Sequence, residues 1–236
     1  MKMLKNLGVI WLVGVAAWLC AGASCAQTAG ARTEPAGGAA ATVAAIPGDV
    51  DPESLNRLPV PTGDGLSDDD KKIFDAMTHG QQASVRLYSP RLAQSLNDAQ
   101  NYLKSGTGFG DQLTEIAVLV TTREMDSPFL WTIWEKHGRD LKDSRHIEPE
   151  IIDVIKYEKP VAGLGEKEAL IITFGRELFG QKRVSQETFA HAVRLFGRRG
   201  TVDLVELLAQ WSATCVELTA FEQQLPAGQK PLLPPR

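Results

Sequence analysis

An all-α fold, a single helical-bundle domain, is what this sequence predicts, and three observations carry the expectation. From Ser67 onward apolar residues recur at intervals of three and four, the spacing of one helical face. No stretch alternates as a half-buried strand would. Capping residues precede most of the apolar runs, and Gly or Pro follows them. Residues 62–236 are also enough to bury a substantial core as one domain, and no internal repeat breaks them up.

Taken in order, Ser67 predicts a helix start, because its hydroxyl can satisfy an orphan backbone N–H. Asp68, Asp69 and Asp70 then suit the positive end of the helix dipole. Ile73, Phe74 and Met77 give this helix an apolar side, and Gly80 ends it. A second helix is expected from Pro90 to Lys104, with Leu92, Leu96, Ala99 and Leu103 on one face. Gly106, Gly108 and Gly110 break the chain. The third runs from Asp111 to about Arg123 on a stripe of Leu113, Ile116, Leu119 and Val120. Ser127-Pro128 opens a fourth, serine capping and proline in the first turn, in which Trp131, Trp134, Gly138 and Leu141 recur. Glu148-Pro149 opens a short helix through Ile151, Ile152 and Ile155. Glu166 to Phe179 follows, stopped by Gly180. Ser185 caps a segment bearing Phe189, Val193 and Phe196. Thr201 caps the last long helix, whose Leu204, Leu208, Trp211, Cys215 and Leu218 form a heptad-like seam. The proline-rich tail from Leu225 to Arg236 is expected on the surface.

The first sixty residues read differently. Lys2 and Lys5, an apolar run from Leu7 to Leu19 and a small-residue exit have the layout of a secretory signal peptide. The run is shorter than the roughly 20 apolar residues of a membrane span. Cleavage is expected after Ala26, making the protein periplasmic or secreted. The alternative is a weak lipobox, Gly22-Ala23-Ser24-Cys25, with anchoring through Cys25. Residues 27–61 are rich in Ala, Gly, Thr and Pro and are read as a flexible tether.

Cleavage removes Lys2 and Lys5 and no acid, so a formal charge of −4 becomes −6. A mildly acidic chain without a basic block is poorly suited to nucleic acid or to anionic membrane surfaces. Cys20 and Cys25 leave with the signal, and Cys215 alone cannot form an internal disulfide. Histidines spaced four apart with a nearby acid are absent from the sequence, so neither a metal site nor a cofactor is expected.

Two passages resemble the carboxymuconolactone decarboxylase family, which includes the alkylhydroperoxidase D-like disulfide reductases. One is the hairpin TEIAVLVTTREMDSPFLWTIWEKHGRDLKDSRHIEPEIIDVIK, Thr114–Lys156. The other is the succession VSQETF and FGRRGTVDLVELL leading into the final helix. The resemblance covers roughly residues 85–230 and implies an alkylhydroperoxidase D-like bundle assembled as a trimer or hexamer. The thiol-active branch implies a glutamate, a CxxC and a histidine. Glu115 matches the glutamate, but Ser127, Leu130 and Trp134 stand where the two cysteines and the histidine belong. Thiol peroxidase or disulfide reductase chemistry is therefore not expected, since none of the three can be a thiolate or relay its proton. The decarboxylase-like branch resembles SxxEWTxHE. Here Ser127, Trp131, Thr132 and Glu135 are kept, while Leu130 and Trp134 replace its Glu and His.

Glu115 is thus the candidate proton-handling residue implied by the resemblance. As plain sequence, it is a carboxylate in a first helical turn, where the dipole favours it by about 0.3–1 kcal/mol. His137, three residues after Trp134, shares nearly its helical face and is a candidate base displaced by one turn. Trp131, Trp134 and Phe129 are expected to wall an aromatic pocket for a flat organic ligand. Arg123, eight residues after Glu115, is read either as a surface partner of Glu124 or as a partner that holds Glu115 ionised. Two functions follow as expectations. One is an exported enzyme that acts on a small carboxylated or aromatic-derived compound by proton transfer. The other is a catalytically silent, oligomeric binding or scaffolding module of the same fold.

Overall fold

The computed structural model describes residues 46–79 and 82–236. The expected signal peptide, the start of the expected tether and the expected stop at Gly80 lie outside the described residues. Among the described residues seven helices follow one another: α1 (Asp68–Thr78), α2 (Pro90–Ser105), α3 (Gly110–Glu124), α4 (Pro128–Arg139), α5 (Pro149–Lys156), α6 (Glu166–Gly180) and α7 (Gln186–Ala220), with a 3-10 turn at Val85–Tyr88. Among the described residues no strand forms, and Asp51 and Asn56 make an isolated bridge. The domain is all-α. Ser67 caps α1 by accepting from the Asp70 N–H, and Ser185 caps α7 by accepting from Thr188.

α3 is the axis of the bundle. Its residues from Thr114 to Arg123 are all buried, because α6, α7, α4, α5 and α2 pack around it. A helix covered on every side needs apolar or internally paired residues all round, beyond the single stripe read from periodicity. Gly175 lets α6 approach closely: a Cβ there would stand 2.8 Å from Cγ1 of Val120. The α7 seam turns inward, with Leu204, Leu208, Trp211 and Cys215 in the main core. Phe74, Leu87 and Ala93 form a separate, smaller cluster.

Three readings are corrected. α2 buries Ala93 and Leu103, whereas Leu92, placed on its apolar face by periodicity, is 57% exposed. The helix lies on the outside of the bundle, where the small Ala93 allows a closer approach than a leucine would. Leu141 is 82% exposed, because α4 ends at Arg139 and Asp140 turns to an extended conformation. The tether also ends earlier than residue 61. Val50 and Asn56 are buried, Arg57 N–H donates to the Phe221 carbonyl (2.8 Å) and Gln224 N–H donates to that of Leu55 (2.8 Å).

The proline-rich tail lies on the surface but is strapped down. Leu233 is buried in the main core, and Leu232 N–H donates to the Thr132 hydroxyl (2.9 Å). Arg236 pairs with Glu124 and Glu158, each at 2.9 Å.

Two helices are expected between Ser185 and Ala220, and they run together as α7 across a kink at Gly197 (φ 70°, ψ 175°). That region of backbone space is essentially glycine's alone. Thr201, read as a cap, instead lies inside the helix and donates to the Gly197 carbonyl (2.8 Å). A Cβ at Gly197 meets no atom within 4 Å, so Gly197→Ala tests backbone strain by itself. The variant is expected to lose about 1–3 kcal/mol in urea unfolding. An unchanged midpoint would mean that the kink is not required.

Candidate functional site

Glu115 lies near the N-terminal end of α3 and is fully buried. Its surroundings are mostly apolar. A Cβ on Gly138 of α4 would stand 3.5 Å from its Oε1 and 3.3 and 3.5 Å from side-chain carbons of Ile152 and Ile147. The absence of a side chain at Gly138 is what admits the carboxyl group. Among the described residues neither Glu115 oxygen has a hydrogen-bond partner, and the neighbouring Thr114 hydroxyl is likewise unpartnered. Burial pushes the Glu115 carboxyl from 4.5 up to about 9, with Arg145 opposing and Asp143 and Asp111 reinforcing the rise. The group is therefore neutral at neutral pH.

His137, on the last turn of α4, joins this neighbourhood through the loop that follows. Its Nδ1 lies 3.0 Å from Asp143 Oδ2 and 2.8 Å from Arg145 Nη2. Asp143 in turn accepts from the Arg145 Nε (2.8 Å), and that bond holds its carboxyl well below the usual carboxylate range. A carboxylate only accepts and a guanidinium only donates, so Nδ1 finds a partner in either imidazole tautomer. Burial first, and Arg145 second, lower the His137 pKa. At neutral pH the imidazole is uncharged and can take up a proton.

An aromatic corner completes the group. Trp134 is 7% exposed and meets Trp211 of α7 edge-on, ring centres 4.6 Å apart, with the His137 ring at 6.1 Å. The Arg145 guanidinium lies 5.4 Å from the Trp134 ring centre. Lys104, from the last turn of α2, places its ammonium 5.4 Å from the Trp211 ring and 5.9 Å from that of Trp134. A shallow cleft of about 480 Å³ is lined by Phe109, Asp111, Gln112, Ser144, Lys167 and Glu168, and none of the grouped side chains lines it.

The structure thus brings together Glu115, His137 and Trp134 from the residues singled out by sequence. It does not bring the other three. Trp131 is fully buried and donates its indole N–H to Glu135, tying up α4 from within. Phe129 is half-buried in the first turn of α4, outside the described contacts of the aromatic corner. Arg123 is buried at the far end of α3, where it donates to the Pro234 carbonyl (3.0 Å) and faces Glu158 at 3.4 Å. Eight residues of helix place it about 12 Å along the axis from Glu115, too far to pair. Asp143, Arg145 and Lys104 were missed. A loop Asp-x-Arg and a lysine on an outer helix carry no spacing that joins them to α3. His146, beside Arg145, is half-buried, with its Nδ1 covered and without a hydrogen-bond partner among the described residues.

Ser127 contacts the Cys215 thiol, which burial pushes up to about 11, so the sulfur is an inert part of the core. Among the described residues no three His, Cys, Asp or Glu side chains gather as a metal ion would require, and no helix is long and apolar enough to cross a membrane. Comparison with protein-family models, with curated proteins and with solved structures finds no match to this chain.

Proposed function

We propose that the chain is an exported carboxymuconolactone decarboxylase-like enzyme that moves a proton on a small carboxylated or aromatic-derived compound. The observation that carries this reading is Glu115: a fully buried carboxyl whose two oxygens have no hydrogen-bond partner among the described residues, with a histidine on α4 braced by Asp143 and Arg145. Natural cores do not keep such a group for stability, since an unsatisfied buried polar group costs about 1–3 kcal/mol. A neutral carboxyl is a proton donor and an uncharged imidazole an acceptor, which is the pair that proton transfer at carbon needs. Glu115 would deliver the proton, His137 would take the other one, and Trp134 would wall the substrate. Movement of the loop through Ser144 would open the cleft to them. The same reading includes assembly as a homo-oligomer, a trimer or hexamer, which light scattering measures directly.

One observation favours the silent module instead: the Glu115 carboxyl is wholly covered, so a ligand reaches it only if the surrounding residues move. A thermal-shift screen of small organic acids and aromatic compounds separates the two. Under the enzyme reading, at least one compound stabilises wild type, fails to stabilise Glu115→Gln and is turned over by wild type alone. A compound that stabilises both proteins equally and is never converted would leave the module.

A further inference from the structure

Among the described residues Lys104 is a cation of this neighbourhood without an acid of its own. Arg145 is paired with Asp143, and Arg86 with Glu217 at 2.6 Å through its Nε. Among the described residues Lys104 has neither a carboxylate within ion-pair distance nor a hydrogen-bond acceptor. What surrounds it is aromatic and cationic: the Trp211 and Trp134 rings at 5.4 and 5.9 Å, and Arg145 over the same Trp134 ring. Its ammonium is driven toward the uncharged form by burial and then by Arg145 and Arg86. Glu115 adds no negative charge, being neutral, and His137 adds no positive charge. An ammonium without a carboxylate partner therefore lies beside two indoles on a partly buried side chain. That is the reverse of a solvated surface lysine, whose carboxylate neighbours or open water offset its charge.

We infer that Lys104, with Trp134 and Trp211, forms a binding site for a small planar organic anion. The ring would pack on the indoles and the negative end would lie on the Lys104 ammonium, with Arg145 adding attraction from beyond Trp134. Charge-assisted hydrogen bonding supplies the affinity, and the two indole edges supply the preference for a flat body. The inference rests on the unpartnered Lys104 ammonium and its place beside the two indoles, not on proton chemistry at Glu115, so it stands or falls separately from the enzymatic reading.

Benzoate is the probe, titrated by calorimetry into the full chain alongside neutral benzamide. Wild type is expected to bind benzoate and to bind benzamide at least about tenfold more weakly. Lys104→Met, which keeps the apolar stem against the tryptophans, is expected to lose at least about tenfold, while Lys104→Arg stays within about threefold of wild type. Lys167→Met, at an exposed lysine outside this group, is expected to bind benzoate as wild type does. Equal affinity in wild type and Lys104→Met would overturn the site, as would equal affinity for benzoate and benzamide. So would a wild-type chain that binds no benzoate at about 10 mM, where even a weak specific site fills. Loss of binding in Glu115→Gln with retention in Lys104→Met would move the ligand to the carboxyl group and overturn it as well.

Discussion

Glu115→Gln is expected to be more stable than wild type at pH 7 by about 3 kcal/mol, and no more stable than wild type near pH 4.5. The direction follows from where the proton sits in each state. In the unfolded chain the carboxyl titrates near its ordinary 4.5, and in the folded chain near 9. The folded state therefore binds the proton more tightly, and the contribution to stability is complete below the unfolded value. It is lost progressively as pH rises from 4.5 toward 9, because the unfolded chain gains by ionising and the folded chain does not. The value at pH 7 depends only on the folded pKa lying well above 7, since the loss accumulates at about 1.4 kcal/mol per pH unit above 4.5. Glutamine keeps the size and neutrality of the folded group but has nothing to ionise in the unfolded one. Melting curves from pH 4.5 to 9 should diverge, by on the order of 5–10 °C at neutral pH. Curves that stay parallel across that range would show that Glu115 is ionised in the fold and that its reading as a neutral acid is wrong. A native chain that gives up this much stability at one position does so where the position serves something other than folding.

How far the sequence could be read depends on which link of the argument each residue belongs to. Helix existence is local: Ser67 with three aspartates, Ser127-Pro128 and Ser185 each state a start in a few residues, and each helix formed where the signals lie. Which face turns inward is tertiary, and there the reading of α2 failed, because periodicity alone cannot weigh Leu92 against Ala93 when the partner surface is unknown. The same limit separated two tryptophans at equivalent spacing. Trp134 faces α7 and the loop, whereas Trp131 turns into the interior of α4 and α5 through Glu135. Glu115 was singled out through the resemblance, since as plain sequence it is only a carboxylate in a first helical turn. Its electrostatic environment was not, since Asp143 and Arg145 come from a loop and Lys104 from a helix on the outside of the bundle. The motif positions that were kept prove to be struts. Ser127 contacts Cys215, Thr132 accepts from Leu232 and donates to the Pro128 carbonyl, and Trp131 binds Glu135. Retention of these four residues therefore speaks for the packing of this hairpin and is silent about its chemistry.

Glu135→Ala is expected to cost about 3–5 kcal/mol, because it breaks a buried charge pair from one side. Glu135 is 2% exposed and its carboxylate is saturated by donors. Trp131 Nε1 reaches Oε2 at 2.5 Å, Lys156 Nζ bridges both oxygens at 2.9 and 3.0 Å, and Arg139 Nε meets Oε1 at 2.9 Å. Arg139 continues to Asp153 at 3.0 Å, so the network fastens α4 to α5 beside the Gly138–Ile152 contact that covers Glu115. Removing the carboxylate strands a lysine whose side chain is only 11% exposed, together with a buried indole N–H, and neither can reach water cheaply. Replacing both ends of the central pair should be milder than replacing one, because a well-packed apolar pair of similar volume is often neutral. Glu135→Leu combined with Lys156→Met is therefore expected to recover more than half of the loss seen for Glu135→Ala, in urea unfolding at pH 7. If the single variant loses less than about 1 kcal/mol, or the double loses the sum of its parts, the network is ornamental. In that case the seating of α5 over Glu115 must come from Ile147, Ile152 and Ile155 alone.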